Sequence, residues 1–154
     1  MNDKAQLALV TGASRGIGKA IALQLAKEGF FVAGTATSPS GAQAITDYLR
    51  EAGLSGVGYC TDVSDDGSVS ALFEALSSEH ASPAVIVNNA GITRDNLLMR
   101  MKGEEWGAVI DTNLSSLYRV CRAGVKAMTK ARWGRIINIS SVVGASGNAG
   151  QTNY

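Results

Sequence analysis

The chain has 154 residues, 45% hydrophobic and 18% charged, with a net charge of +1. That is the make-up of one soluble globular domain with a sizeable core. The balanced charge supplies no global field for nucleic acid or a membrane surface, and no apolar run approaches the ~20 residues of a membrane span.

The opening Met1-Asn2-Asp3-Lys4 lacks the charged and apolar regions of a signal peptide. A first strand, Leu7-Ala8-Leu9-Val10, leads into Thr11-Gly12-Ala13-Ser14-Arg15-Gly16-Ile17-Gly18, and Ile17, Ala20, Ile21 and Leu25 follow at helical spacing. Strand, glycine-rich turn and helix together are the context of a phosphate cradle. Gly12 permits the turn off the strand, Gly16 lets the backbone approach a pyrophosphate, and Gly18 lets the helix pack on the strand. The first free N–H groups of the helix then face the anion. The spacing is G-x-x-x-G-x-G, a variant of the usual dinucleotide fingerprint.

Gly29 is expected to stop this helix, followed by a strand at Phe30-Phe31-Val32-Ala33-Gly34, a turn at Ser38-Pro39-Ser40 and a helix with Ala42, Ile45 and Leu49 inward. A strand from Val57 to Thr61 ends at Asp62-Val63. Ser64 reads as the cap of a third helix, with Asp65 and Asp66 in its first turn and Val69, Leu72, Phe73 and Leu76 buried. Ala84-Val85-Ile86-Val87 reads as a strand covered on both faces. Cys60 and Cys121 show neither metal nor redox spacing and are expected to be buried, reduced thiols of a cytoplasmic protein. A lone His80 offers no zinc set and no His-based triad.

A long helix is expected from about Glu104 to Ala131, with Trp106, Ile110, Asn113, Leu117 and Cys121 as its buried line. Asn113 is the one polar member, and an unpaired buried amide costs roughly 1–3 kcal/mol, so it needs partners. Either it ties down neighbouring backbone or it holds a water or side chain at a site. The last strand, Arg135-Ile136-Ile137-Asn138-Ile139, runs into Ser140-Ser141, and a loop rich in small residues leads to Tyr154. Regular alternation of strand and helix predicts an α/β fold, a doubly wound, Rossmann-like parallel sheet. In such a sheet ligands bind beyond the carboxyl ends of the strands. Those ends carry Thr11-Gly12, Thr35 to Ser38, Asp62-Val63, Asn88-Asn89-Ala90-Gly91 and Ser140-Ser141.

With these residues in place, the chain resembles the short-chain dehydrogenase/reductase family over its whole length. Thr11 to Gly18 matches the family's T-G-x-x-x-G-x-G loop and Asn88-Asn89-Ala90-Gly91 its N-N-A-G motif. Asn113, Ser141 and Tyr154 match its catalytic Asn, Ser and Tyr. Gly91-Ile92-Thr93-Arg94-Asp95-Asn96-Leu97-Leu98-Met99-Arg100-Met101 and Gly147-Asn148-Ala149-Gly150-Gln151-Thr152-Asn153-Tyr154 are similar to the beta-ketoacyl-acyl-carrier-protein reductases of bacterial fatty-acid synthesis.

The resemblance implies reduction of a beta-ketoacyl thioester, carried on acyl carrier protein, by hydride from NADPH. Tyr154 would give the proton, Ser141 would hydrogen-bond the carbonyl oxygen, and Asn113 would hold a water in the relay. The cofactor would lie on Gly12, Ser14, Arg15, Gly16, Ile17 and Gly18, with Thr37 nearby. Asp62 and Val63 would sit at its adenine edge, and Asn89, Ala90 and Gly91 at a ribose. The end of the second strand, Thr35-Ala36-Thr37-Ser38, has no carboxylate for a ribose 2′-OH, whereas Arg15 can pair with a 2′-phosphate, so NADPH is expected over NADH. Lys126, Lys130, Arg132 and Arg135 either meet an acidic carrier protein or complement the helix dipole.

Family members form homo-oligomers, tetramers among them, pairing through the long helix. They also carry an active lysine four residues after the tyrosine, and further strands and helices. The sequence given stops at Tyr154, so residues 1–154 are expected to be a Rossmann-like domain truncated after its fifth strand, with Ile136, Ile137 and Ile139 on an open edge and without activity of its own. The competing readings are another short-chain reductase, acting on an acyl-CoA, sterol or polyol, and a nucleotide-binding fragment without catalysis.

Overall fold

A computed structural model describes residues 5–154. Five parallel strands form one sheet in the order β3-β2-β1-β4-β5. The strands are β1 (Leu7–Val10), β2 (Phe31–Ala36), β3 (Gly56–Cys60), β4 (Val85–Asn88) and β5 (Arg135–Asn138). Helices α1 (Gly16–Lys27), α2 (Pro39–Glu51) and α3 (Asp66–Glu79) connect the first four strands. The segment α4 (Gly103–Ile110), a π turn (Asp111–Ser115) and α5 (Ser116–Ala131) lead to β5, and a short α6 (Val143–Ser146) follows.

Alternation along β1 divides the core. Ala8 and Val10 face a cluster with Ala22 and Ala26 of α1 and Ile45, Tyr48 and Leu49 of α2. Leu7 and Leu9 face Val69, Leu72 and Leu76 of α3 with Val120 and Met128 of α5. The period-2 pleat thus gives each face its own pair of helices, the doubly wound Rossmann-like arrangement. β4 is buried throughout, as its unbroken apolar run predicts. β5 is exposed along its length and ends one residue before the expected Ile139; its Ile136 and Ile137, and Ile139 just beyond it, are each at least 39% exposed. No helix among the described residues is long and apolar enough to cross a membrane.

Local chemistry moves several boundaries from those the sequence predicts. Phe30 belongs to the end of α1, its N–H donating to the Leu25 carbonyl around Gly29, whose φ is +92°. Strand β2 therefore starts one residue later and runs on to Ala36. Ser38-Pro39-Ser40 opens α2 instead of forming a separate turn: Ser38 accepts from the Gly41 N–H at 3.1 Å and Pro39 takes the first helical position. Asp65, not Ser64, caps α3, accepting from the Ser68 N–H at 2.6 Å. Cys60 is exposed and Cys121 half-buried, because β3 is an edge strand and Cys121 lies beside the buried line of α5.

That buried line is the main correction. The π turn interrupts the predicted helix, and the inward residues are Val109, Ser116, Val120, Gly124 and Met128. Trp106 is 45% exposed, and Ile110, Asn113, Leu117 and Cys121 form the half-buried flank. Gly124 sets the close approach of α5 to the sheet, since a Cβ there would collide with Cδ1 of Ile86.

Candidate functional site

Strand order reverses at β1, which has β2 on one side and β4 on the other. A cleft opens at the carboxyl ends beside this switch point. One part, about 510 Å³, is lined by the glycine turn, the end of β2, the Thr61–Ser64 segment and residues 89–92. The other, about 580 Å³, is lined by residues 89–94, Asn113, Ile139 to Ser141, Gly144 and Tyr154. Arg15, Ile17, Asn89, Ala90, Gly91 and Ile92 line both, so the two parts form one continuous groove.

Gly12 leaves β1 at φ +65°, and a Cβ there would stand 2.9 Å from the Ala90 Cα. Gly18 has no room either: a Cβ would run into the Gly12 carbonyl and stand 2.5 Å from Asn89 Nδ2. Gly16 differs, with φ +56° and open space where a Cβ would point. This is the gap a bound pyrophosphate needs for close approach to backbone. The N-terminus of α1 has no side-chain cap and no acidic residue in its first turn, so its donors and positive dipole end face the groove unopposed.

The turn is held from three directions. Thr11 Oγ1 accepts from the Asn89 and Ala90 N–H groups at 3.0 Å each. Asn89 Nδ2 donates to the Thr11 carbonyl at 3.1 Å and the Gly12 carbonyl at 3.0 Å. Thr35 Oγ1 accepts from the Gly12 N–H at 3.2 Å, and the Tyr48 hydroxyl donates to the Ala13 carbonyl at 2.9 Å. Burial pushes the Tyr48 phenol up to about 12, so it stays a donor far above neutral pH.

Asn113 stands in the π turn. Its Oδ1 accepts from the Ile92 N–H at 2.8 Å and its Nδ2 donates to the Ile92 carbonyl at 2.9 Å. Of the two alternatives for this amide, these bonds are the backbone tie, and the residue also lines the reaction-side part of the groove. Ser141 Oγ accepts from the Val143 N–H at 3.2 Å. Tyr154 is 41% exposed.

Its neighbour Asn153 is buried and is not apparent from the sequence. Asn153 Nδ2 donates to the carbonyls of Arg94 at 2.8 Å and Glu105 at 3.2 Å, and its Oδ1 accepts from the Tyr154 N–H at 2.8 Å. The Asn96 N–H donates to the Gly150 carbonyl and Gln151 Nε2 to Asp95 Oδ1. The two stretches around residues 91–101 and 147–154 therefore clasp each other at the groove. Nothing in their separate periodicity signals that contact.

Every residue expected at the cofactor lines the first part: Gly12, Ser14, Arg15, Gly16, Ile17, Gly18, Thr37, Asp62, Val63, Asn89, Ala90 and Gly91. Asn113, Ser141 and Tyr154 line the second. Ile92 and Thr112 join them unforeseen. The Ser64 hydroxyl and N–H both donate to Asp62 Oδ1, at 2.6 and 2.9 Å, and hold its carboxyl below the usual range. Arg15 is exposed and makes no ion pair among the described residues.

Lys126, Lys130, Arg132 and Arg135 are elsewhere. They sit in the last turns of α5 and at the start of β5, at the amino end of the sheet. At 1.5 Å per residue, the 16-residue α5 puts that end about 24 Å from the π turn. Within one chain this cluster does not border the groove.

A family model for the short chain dehydrogenases matches residues 6–154. The chain is 60% identical over all 154 residues to the 3-oxoacyl-acyl-carrier-protein reductase of Pseudomonas aeruginosa. It is 56% identical over the same length to the enzymes of that name from Escherichia coli and Vibrio cholerae. In each case it spans 62% of the relative's length.

Proposed function

Because the chain belongs to the short chain dehydrogenase family, we propose that it carries the cofactor groove and reaction rim of an NADPH-dependent reductase of beta-ketoacyl thioesters borne on acyl carrier protein. One observation carries this reading: the glycine turn and the Ser141–Tyr154 rim line a single groove through six shared residues. One dinucleotide can lie across both. Relatives named for 3-oxoacyl-acyl-carrier-protein reduction, at 54–60% identity, support the substrate class.

Bound in the groove, the nicotinamide cofactor supplies a hydride to the ketone carbon. The residues do the rest. The backbone of Gly12 to Gly18 and the α1 N-terminus hold the pyrophosphate. Arg15 takes the 2′-phosphate, and the absence of a carboxylate at Thr35 to Ser38 removes both an NAD-type contact and a repulsion. Asp62 and Val63 border the adenine, and Asn89 to Gly91 a ribose. At the other end Ser141 donates to the carbonyl oxygen as negative charge develops there, and Tyr154 passes it the proton. Asn113 keeps the Ile92 backbone in place and lines the same part of the groove as Tyr154, where it would hold a water of the proton relay.

The test is NADPH oxidation by the protein purified at its natural length, residues 1–154 alone being expected to lack activity, with acetoacetyl-acyl-carrier protein, acetoacetyl-CoA, a ketosteroid and a ketose. Turnover with the acetoacetyl thioesters, fastest on the carrier protein, is expected. Preference for the steroid or sugar would make this a different short-chain reductase. NADPH binding with no turnover on any of them would leave a nucleotide-binding chain without catalysis.

A further inference from the structure

Arg119 has no part in the hydride or proton transfer, yet it holds the segment on which the reaction side of the groove rests. Its side chain is only 16% exposed, although it carries a permanent charge. Nη2 donates to Asp111 Oδ1 at 2.7 Å, Nη1 to the Asp111 carbonyl at 3.4 Å, and Nε to Asp66 Oδ1 at 3.0 Å. One guanidinium fork thus grips a side chain and a carbonyl of the same residue and reaches a second helix.

Asp111 is the first residue of the π turn. A π turn is rare and occurs where its surroundings enforce it, frequently at functional sites. Here the Asp111 carbonyl accepts from the Ser116 N–H, five residues on, as well as from Arg119. The next two residues are Thr112, which lines the nucleotide part of the groove, and Asn113, which lines the reaction part and clasps Ile92. Displacing Asp111 moves both.

The Asp66 arm reaches the start of α3. That helix also holds the nucleotide rim, because Ser68 Oγ accepts from the Asp62 N–H at 2.9 Å. Asp66 is 86% exposed, however, and an ion pair in such a place adds little. The Asp111 arm dominates.

We propose that Arg119 is a positioning residue, holding the π turn so that Asn113 keeps Ile92 and the reaction end of the groove in register. Its kinetic consequence rests on the reductase reading; its structural consequence does not.

The experiment compares Arg119→Gln, Arg119→Lys, Asp111→Asn and Asp66→Asn in the full chain by amide hydrogen exchange. The reporter is the Ile92 N–H, with the β1 amides as a global control. Arg119→Gln and Asp111→Asn are expected to speed exchange at Ile92 by about tenfold or more beyond any change in β1. Asp66→Asn leaves it within about twofold, and Arg119→Lys falls between.

In Arg119→Gln and Asp111→Asn turnover with an acetoacetyl thioester drops about tenfold or more, with a smaller rise in the KM for NADPH through Thr112, since small misplacements at a reacting centre are costly. Ile92 exchange that merely follows β1, or an Asp66→Asn effect equal to that of Asp111→Asn, overturns the proposal. If Arg119→Gln does not fold, Asp111→Asn decides in the same way. Absence of turnover in the unmodified protein would overturn the reductase reading and leave the exchange result to decide the role of Arg119.

Discussion

Asn89 and Thr11 are locked together at the crossing of the two central loops. The Asn89 N–H donates to Thr11 Oγ1 at 3.0 Å, and Asn89 Nδ2 returns to the Thr11 carbonyl at 3.1 Å. The pair lies 78 positions apart in sequence and fastens the β1 turn to the β4 turn at the switch point. The groove's floor is thereby fixed before any ligand arrives.

Thr11→Val keeps the shape of this buried side chain and removes the acceptor. Both the Asn89 and Ala90 N–H groups lose their partner. Each unpaired donor costs about 1–3 kcal/mol, so urea unfolding should show a loss in that range or above, while Thr11→Ser retains most of the stability. A Val variant within about 0.5 kcal/mol of the parent would show that the latch contributes nothing net.

The glycines of the turn separate folding from binding. Gly18→Ala forces a methyl group into the Gly12 carbonyl and should cost roughly 1–3 kcal/mol of stability, as overpacking does. Gly16→Ala meets open space and pays only for its φ of +56°, about 1–2 kcal/mol. Its methyl group nevertheless projects where the pyrophosphate would approach. Thermal unfolding together with NADPH titration should therefore show the larger affinity loss per unit of stability in Gly16→Ala. The reverse order would place the diphosphate elsewhere.

Tyr48 braces the same turn from α2. Its folded pKa is raised from 10.0 to about 12, so the folded state favours the neutral phenol. The stability this brings is fully present below pH 10 and is lost as pH climbs through the folded value. Tyr48→Phe should lose about 1 kcal/mol at neutral pH with the ring packing kept. The difference between parent and variant should then shrink between pH 10 and 12 in urea unfolding series. A difference constant with pH would mean the phenol is not buried as described.

Much of this architecture can be read directly from residue order. The apolar runs in β1 and β4 mark strands covered on both faces. The glycine turn and the polar residues at strand ends mark the groove, because no other role explains so many small polar groups there. What escaped depends on long-range partners. The π turn between Ile110 and Ser116 adds one residue to the helical period. The buried line runs one residue earlier than the expected one on both sides of it, through Val109, Ser116, Val120, Gly124 and Met128, and nothing local in Asp111-Thr112-Asn113 announces the turn. Arg119 is the external grip, and its two carboxylates lie at separations of 8 and 53 residues. Asp65 took the cap from Ser64 because Asp62 claims the Ser64 hydroxyl, a competition visible only once the loop is closed. Asn153 was hidden for the same reason: its partners, Arg94 and Glu105, come from distant segments.

Paired equilibrium titrations of the protein with NADPH and NADH test most directly whether one groove seats a 2′-phosphorylated dinucleotide against Arg15. A charge-assisted contact worth about 1.5–3 kcal/mol predicts NADPH binding roughly ten- to a hundredfold tighter, with the gap closing in Arg15→Leu. Equal affinities would contradict the role given to Arg15. Failure to bind either nucleotide would contradict the groove itself.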